Sequence, residues 1–146
     1  MKKSLIPKLG AGVLVAVLLC LGITILTKMR CQMGPTDEAL INATMANWKA
    51  AVIVQDLDKI MEAYSENYVS AEGGDKEATR EFMESIIDEG YLDDIEVDLE
   101  NAETTIEGDK ADVYPIEVIG AAGEPITLGF TLQKEDGDWL IVSSER

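Results

Sequence analysis

The sequence predicts an α+β domain in which three helices pack on one face of a four-stranded antiparallel sheet, preceded by one transmembrane helix. A run of 19 uncharged residues near the amino end predicts the membrane segment. Apolar residues then recur at helical spacing as far as Gly90, and beyond it they alternate with polar residues, as in half-buried strands. Helices followed by strands are typical of α+β architecture.

Composition bounds the domain count and excludes several functions. The chain has 146 residues, enough for one domain with a short appendage. It carries 28 acidic and 12 basic residues, a formal net charge of −16, and no histidine. An excess of negative charge repels phosphate backbones, so we expect no nucleic-acid partner. Without histidine there is no Ser-His-Asp or Cys-His catalytic site and no histidine-containing zinc site.

Residues 9–27 predict a membrane anchor. As a helix they span about 28 Å, close to the hydrocarbon thickness of a bilayer. Lys2, Lys3 and Lys8 precede the run, whereas Lys28 and Arg30 follow it. This mild excess of positive charge on the amino side predicts a cytoplasmic N-terminus and an extracytoplasmic C-terminal domain in a single-pass protein of the cell membrane. The predicted segments are a basic cytoplasmic stretch at 1–8, the anchor at 9–27, a linker at 28–35 and the domain at 36–146.

A cleaved signal peptide is the alternative for the same segment. Its apolar region is about 7–15 residues long and ends at a small-residue cleavage site. Here the run is longer, and Lys28, Met29 and Arg30 follow it, so an uncleaved anchor is favoured. Cys20 lies within the run and Cys31 just after it, so the domain at 36–146 has no internal disulfide.

The first two helices are predicted from apolar stripes and capping residues. Thr36 can cap a first helix in which Ile41, Met45, Trp48 and Val52 recur at spacings of four, three and four. Asp56 can cap a second, shorter helix. The stripe of that second helix consists of Leu57, Ile60, Met61 and Tyr64.

A loop and a third helix follow. Residues 67–75 contain a Gly-Gly pair and predict a loop. The third helix is predicted over 76–89, with Gly90 ending it. Its apolar residues are Ala78, Phe82, Met83, Ile86 and Ile87.

Four strands are predicted after Gly90. Alternation at residues 95–99 predicts the first, and a hairpin leads to the second at 111–119, where Pro115 indicates a sheet edge or a bulge. The third places Ile126, Leu128, Phe130 and Leu132 on one face, and the fourth covers 139–142. Glu96, Asp98 and Glu100 follow one face of the first strand. They could collect calcium, but a solvated strand face is the favoured interpretation, and no metal site is predicted.

Two stretches resemble the nuclear transport factor 2-like (NTF2-like) superfamily, also described as SnoaL-like or cystatin-like. Residues 47–69 are similar to its opening, where a first helix runs through an Asp-Leu-Asp turn into a second helix. Residues 136–144 are similar to its last strand, where an Asp- and Gly-rich turn precedes a tryptophan. The resemblance implies a cone formed by a curved antiparallel sheet and three helices. It also implies a cavity with Trp48, Tyr64 and Tyr68 among its wall residues.

The resemblance leaves two functions open. One is a binding or interaction module that takes a small apolar ligand, or forms a homodimer through its sheet face, without a cofactor. The other is a carboxylate-dependent isomerase or lyase of the ketosteroid isomerase type. In that branch the base position corresponds to Glu72 and the catalytic tyrosine position to Trp48. Because an indole N–H cannot act as an acid at ordinary pH, the binding module is favoured over an enzyme.

Overall fold

The computed structural model describes residues 34–121 and 123–146. The predicted segments 1–8 and 9–27, and most of the linker 28–35, lie outside these residues. Within the described part of the chain, no helix has the length and apolar character needed to cross a membrane. Residues 35–146 form one compact unit.

The three predicted helices are confirmed, each with an acidic or hydroxyl N-cap. Thr36 Oγ1 accepts from the Ala39 amide at 3.2 Å, and Asp56 and Asp75 accept in the same way from the amides three residues on. Gly90 follows the last helix with a φ of +75°, which suits glycine at a helix end. The helices are α1 (Asp37–Ile53), α2 (Leu57–Glu62) and α3 (Lys76–Asp88).

The sheet has six strands rather than four, and it is mixed rather than purely antiparallel. The order is β1-β6-β5-β4-β2, with β3 also pairing with β4. β1 runs parallel to β6, and the other pairings are antiparallel. The strands are β1 (Tyr64–Ser70), β2 (Glu96–Asp98), β3 (Glu103–Glu107), β4 (Lys110–Ile119), β5 (Pro125–Glu135) and β6 (Asp138–Glu145).

Strand β1 corrects two predictions at once. Tyr64 belongs to this strand and not to the second helix, and the predicted loop at 67–75 is shortened by it. Tyr64 and Ser65 are both buried, whereas Glu66 and Asn67 are both exposed, so the segment has no alternating pattern. It is a strand because it pairs with β6, more than 70 residues away, as Tyr64 opposite Ile141 shows.

Strand β3 was not predicted. The preceding strand β2 is shorter than predicted, and β3 occupies part of the chain between it and β4. The amide of Glu100 donates to Asp98 Oδ1 at 2.7 Å, which turns the chain out of the predicted strand at 95–99. The chain then returns along the same edge of β4, with Glu103 opposite Tyr114. β3 is largely exposed and carries little of the apolar signal on which strand prediction depends.

The core lies between α1 and the inner face of the sheet. The four residues of the α1 stripe are 0–4% exposed, as their spacing predicts. In β4 the pairing register shifts between Val113 and Ile116, so the bulge expected at Pro115 is confirmed, although β4 is an interior strand. Both flanking residues stay buried, since the bulge keeps them on the same face. The sheet contributes Val113, Ile116, Phe130, Leu132 and Ile141 to this core.

A polar contact joins the first turn of α1 to the last hairpin. Asp37 Oδ1 accepts from Lys134 Nζ at 2.6 Å and from Trp139 Nε1 at 3.2 Å. Hydrogen bonds from Lys134 and then from Trp139 hold the pKa of Asp37 below its ordinary value. The ionised carboxylate is therefore favoured by folding.

We expect Asp37→Asn to lower the free energy of unfolding at neutral pH. Because the folded pKa is depressed, the contribution of Asp37 is fully present above its unfolded pKa and is lost as pH falls through the folded one. The difference in the free energy of unfolding between parent and variant should therefore become smaller at acidic pH. Urea unfolding at several pH values measures this, with Glu38→Gln, an exposed acid in the same helical turn, as the control. Equal stability of parent and Asp37→Asn at pH 7 would show that the contact contributes nothing.

Candidate functional site

A cavity of about 720 Å³ lies between the inner face of the sheet and helix α3. Most of its lining side chains are apolar or aromatic. Its inner end is formed by buried residues, and its mouth by residues that are about half exposed. Cavities of about 300–1,000 Å³ with such linings are typical of small-molecule sites.

Four aromatic residues surround the inner end. Trp48 comes from α1, Tyr64 and Tyr68 from β1, and Phe130 from β5, and each is at most 5% exposed. Tyr64 and Tyr68 lie four residues apart and share a face of the strand, with ring centroids 4.9 Å apart and nearly perpendicular planes. Trp48 and Phe130 also meet edge to face at 4.9 Å. These packed rings give the inner wall a fixed shape.

The polar atoms at the inner end are few. The Tyr68 hydroxyl and Ser144 Oγ lie 2.5 Å apart and share a hydrogen bond. Burial raises the pKa of the Tyr64 phenol well above its ordinary value, and the nearby Tyr68 acts in the same direction. A weak polar contact from the Trp48 indole to the Tyr64 oxygen opposes that pKa shift. No acceptor among the described residues, Tyr64 included, meets Trp48 Nε1 with full hydrogen-bond geometry.

Helix α3 covers the cavity, and its apolar side is only partly buried against the core. None of its residues is buried, and Phe82 is 52% exposed. Its apolar residues Ala78, Phe82, Met83 and Ile86 all line the cavity. Lys76 connects the start of the helix to β1. Its Nζ donates to the Tyr64 carbonyl at 2.8 Å and to Glu66 Oε1 at 2.6 Å. Four of the five residues of the stripe predicted for this helix therefore face the cavity, and the fifth, Ile87, packs against the core.

The charges at the cavity are mostly negative and exposed. Glu72, Glu124 and Glu145 line it together with one cation, Arg146. Within residues 34–121 and 123–146, no group of three acidic or cysteine side chains is arranged to hold a metal ion. Glu96, Asp98 and Glu100 border a separate polar depression of about 330 Å³ and share it with Lys49.

The structure brings the predicted site residues to one cavity. Trp48, Tyr64 and Tyr68 lie at its inner end, and Glu72 lies at its rim, exposed, in the loop after β1. Several further wall residues of the cavity were predicted to lie in helices or strands, but not to belong to a site. The alternation in β5 predicts that Ile126, Leu128 and Phe130 share a face, yet only the tertiary structure shows that this face borders a cavity.

Solved structures show which fold this is. A cystatin-like-fold protein of unknown function from Nostoc punctiforme matches with a TM-score of 0.60 at 15% identity, over 77% of this chain and 92% of that one. An NTF2-like protein of unknown function from Shewanella baltica matches with a TM-score of 0.59 at 18% identity, over 76% and 94% of the two chains. A third, an NTF2-like protein of unknown function from Shewanella oneidensis, has a TM-score of 0.57 at 17% identity, over 75% and 97%.

These matches show an NTF2-like, cystatin-like fold and nothing finer. No protein-family model matches the chain, and no curated protein does. The function therefore has to be argued from the cavity itself.

Proposed function

We propose that this domain binds a small apolar molecule in the cavity between α3 and the sheet. The observation that carries the proposal is the aromatic inner end beneath a helix whose apolar side is only partly buried. Each apolar side chain that faces water instead of a packed neighbour forgoes about 25 cal/mol per Å² of burial. A ligand beneath Phe82, Met83 and Ile86 recovers that free energy, which gives the cavity affinity for apolar surface.

The charges at the rim support an uncharged or cationic ligand. Three carboxylates and one guanidinium line the cavity, and the chain carries 28 acids against 12 bases. An anion has to cross this negative field and lose hydration within an apolar wall. An uncharged apolar molecule does neither.

Thermal unfolding of the full chain with two matched compounds tests this. Fluorene is uncharged, and fluorene-9-carboxylate has the same ring system with one negative charge. A ligand present at about 100 times its dissociation constant stabilises the folded state by about 2.7 kcal/mol. We expect fluorene to raise the melting temperature by several degrees and the carboxylate to raise it less. No shift with fluorene, or a larger shift with the carboxylate, would contradict the proposal.

The variant Glu72→Gln distinguishes the two proposed functions, the binding module and the isomerase. We expect the variant to bind fluorene as the parent does, because Glu72 is exposed at the rim and not part of the inner wall. Its affinity for fluorene-9-carboxylate should rise, by up to about fivefold, since one exposed charge contributes at most about 1 kcal/mol. Glu107→Gln on β3, outside the cavity lining, is the matched control and should change neither affinity.

The isomerase alternative makes the opposite prediction for Glu72. The parent should then convert β,γ-unsaturated ketones to their conjugated isomers, and Glu72→Gln should abolish that turnover. Absence of turnover in the parent would remove this alternative while leaving ligand binding intact.

We further propose that residues 9–27 hold the domain on the outer side of the cell membrane. The support is the 19-residue uncharged run and the basic residues before it. A reporter that is active only outside the cytoplasm, fused after Arg146, should be active, and a fusion active only in the cytoplasm would contradict this. The homodimer through the sheet face stays a prediction, which sedimentation of the full chain measures.

A further inference from the structure

The cavity changes from apolar to polar along its length, as strand β5 shows. Phe130 lies at the inner end and is 3% exposed, whereas Ile126, on the same face of the strand, is 46% exposed at the mouth. Glu124 lines the cavity further out, just before the strand begins, and is exposed. At about 3.3 Å per residue, the stretch from Phe130 to Glu124 is roughly 20 Å long. The cavity therefore has an apolar inner end and a polar mouth.

Two neighbouring strands change in the same direction. β1 is parallel to β6, and β6 is antiparallel to β5, so β1 and β6 end at the edge of the sheet where β5 begins. The buried Tyr68 on β1 is followed, after the strand ends, by the exposed Glu72. The partly buried Ser144 on β6 is followed by the exposed Arg146. Glu72, Arg146 and Glu124 thus lie at the ends of three adjacent strands, and all three line the cavity.

A hydroxyl is the head group that fits these three side chains. The carboxylates of Glu72 and Glu124 only accept hydrogen bonds, whereas the guanidinium of Arg146 only donates them. A hydroxyl can both donate and accept, and it carries no charge. An ammonium group cannot accept from the guanidinium. A carboxylate cannot donate to the two glutamates, which also repel it.

We propose that the ligand is an uncharged amphiphile that binds with its apolar end inward and leaves a hydroxyl head group at the mouth, beside Glu72, Glu124 and Arg146. This inference rests on the proposed binding function and names the class and the orientation of the ligand. A hydroxyl at the mouth keeps hydrogen bonds to these side chains or to water, whereas a hydroxyl against the apolar inner wall loses most of them. An apolar end left at the mouth forgoes burial.

Octan-1-ol and 1-methoxyoctane test the head group, because they share an alkyl chain and the ether has no donor. Titrations of the full chain followed by methyl NMR measure both affinities. We expect Glu72→Ala/Glu124→Ala to lower the ratio of the alcohol affinity to the ether affinity about two- to tenfold, because the acceptors of the hydroxyl are removed. Glu103→Ala/Glu107→Ala removes two exposed charges from β3, outside the cavity lining, and should leave the ratio unchanged. Comparing ratios cancels the difference in how the two compounds leave water.

The orientation has a readout that needs no variant. In the deuterated full chain with protonated isoleucine and leucine methyl groups, nuclear Overhauser effects report which end of bound octan-1-ol lies near which methyl group. The protons beside the hydroxyl should contact Ile126 at the mouth, and the terminal methyl group should contact Leu128, which lies deeper on the same strand.

The outcomes separate this inference from the proposed function. A lowered ratio in Glu72→Ala/Glu124→Ala, together with the hydroxyl end at Ile126, supports both. An unchanged ratio, or the hydroxyl end at Leu128, overturns the inference and leaves apolar binding standing. Binding of fluorene without binding of octan-1-ol does the same. If neither compound binds, the proposed function and the inference fail together.

Discussion

Leu128→Trp should abolish ligand binding without unfolding the protein. Leu128 lies on β5 between Phe130 at the inner end and Ile126 at the mouth, and its side chain faces the cavity. An indole at this position occupies the space that a ligand needs and buries its own surface against the same wall. We expect the affinity for fluorene to fall by at least about a hundredfold, which corresponds to about 2.7 kcal/mol. Calorimetric titration of fluorene into parent and variant measures it.

Thr127→Trp is the matched control. Thr127 is the preceding residue of the same strand, is exposed, and does not line the cavity. Successive strand residues point to opposite faces, so this variant adds the same bulk on the far side of the sheet. It should bind fluorene as the parent does. Equal binding by parent and Leu128→Trp would place any fluorene site elsewhere.

Leu132→Ala should be among the most destabilising single substitutions in the domain. Leu132 is on the same strand and the same face as Leu128, but it is completely buried in the core. Removing a fully buried leucine side chain typically costs about 2–5 kcal/mol, from lost burial and from the cavity left behind. Urea unfolding followed by circular dichroism measures the change.

Leu128→Ala is the control for that experiment, since it makes the same chemical change four residues away. Leu128 is only partly buried and already borders a cavity, so it has fewer packed neighbours to lose. We expect a loss below about 2 kcal/mol. Equal losses at both positions would mean that Leu128 is packed as tightly as Leu132, which contradicts a cavity in front of it.

The sequence predicts best where the signals are local. The stripe of Ile41, Met45 and Trp48 depends on the helical repeat alone, and the caps at Thr36 and Asp56 on contacts three residues away. Each of these was confirmed. Strand β1 was missed because its pairing partner β6 is distant in the chain and its residues do not alternate between buried and exposed. Strand β3 forms a hairpin with the next strand, β4, but it was missed because it is largely exposed and has no apolar alternation.

For the candidate site, too, local patterns are visible in the sequence, whereas contacts between distant residues are not. The placing of Trp48, Tyr64 and Tyr68 around one cavity was implied by the NTF2-like resemblance and not by any local pattern, since they come from a helix and a strand. The apolar stripe of α3 predicts that this side of the helix avoids water, but a stripe does not distinguish a core from a cavity. The unpartnered Trp48 Nε1 is invisible to any pattern, because it depends on which atoms surround it after folding.

Methyl NMR of the full chain, labelled at isoleucine and leucine and saturated with fluorene, locates the bound ligand directly. A ligand in the cavity should shift the methyl groups of Ile86, Ile126 and Leu128, which line it, while those of Leu132 and Ile141 in the core and Ile106 on β3 stay in place. Shifts at Ile106 in place of Leu128, or no saturable shift at all, would contradict a ligand-binding cavity.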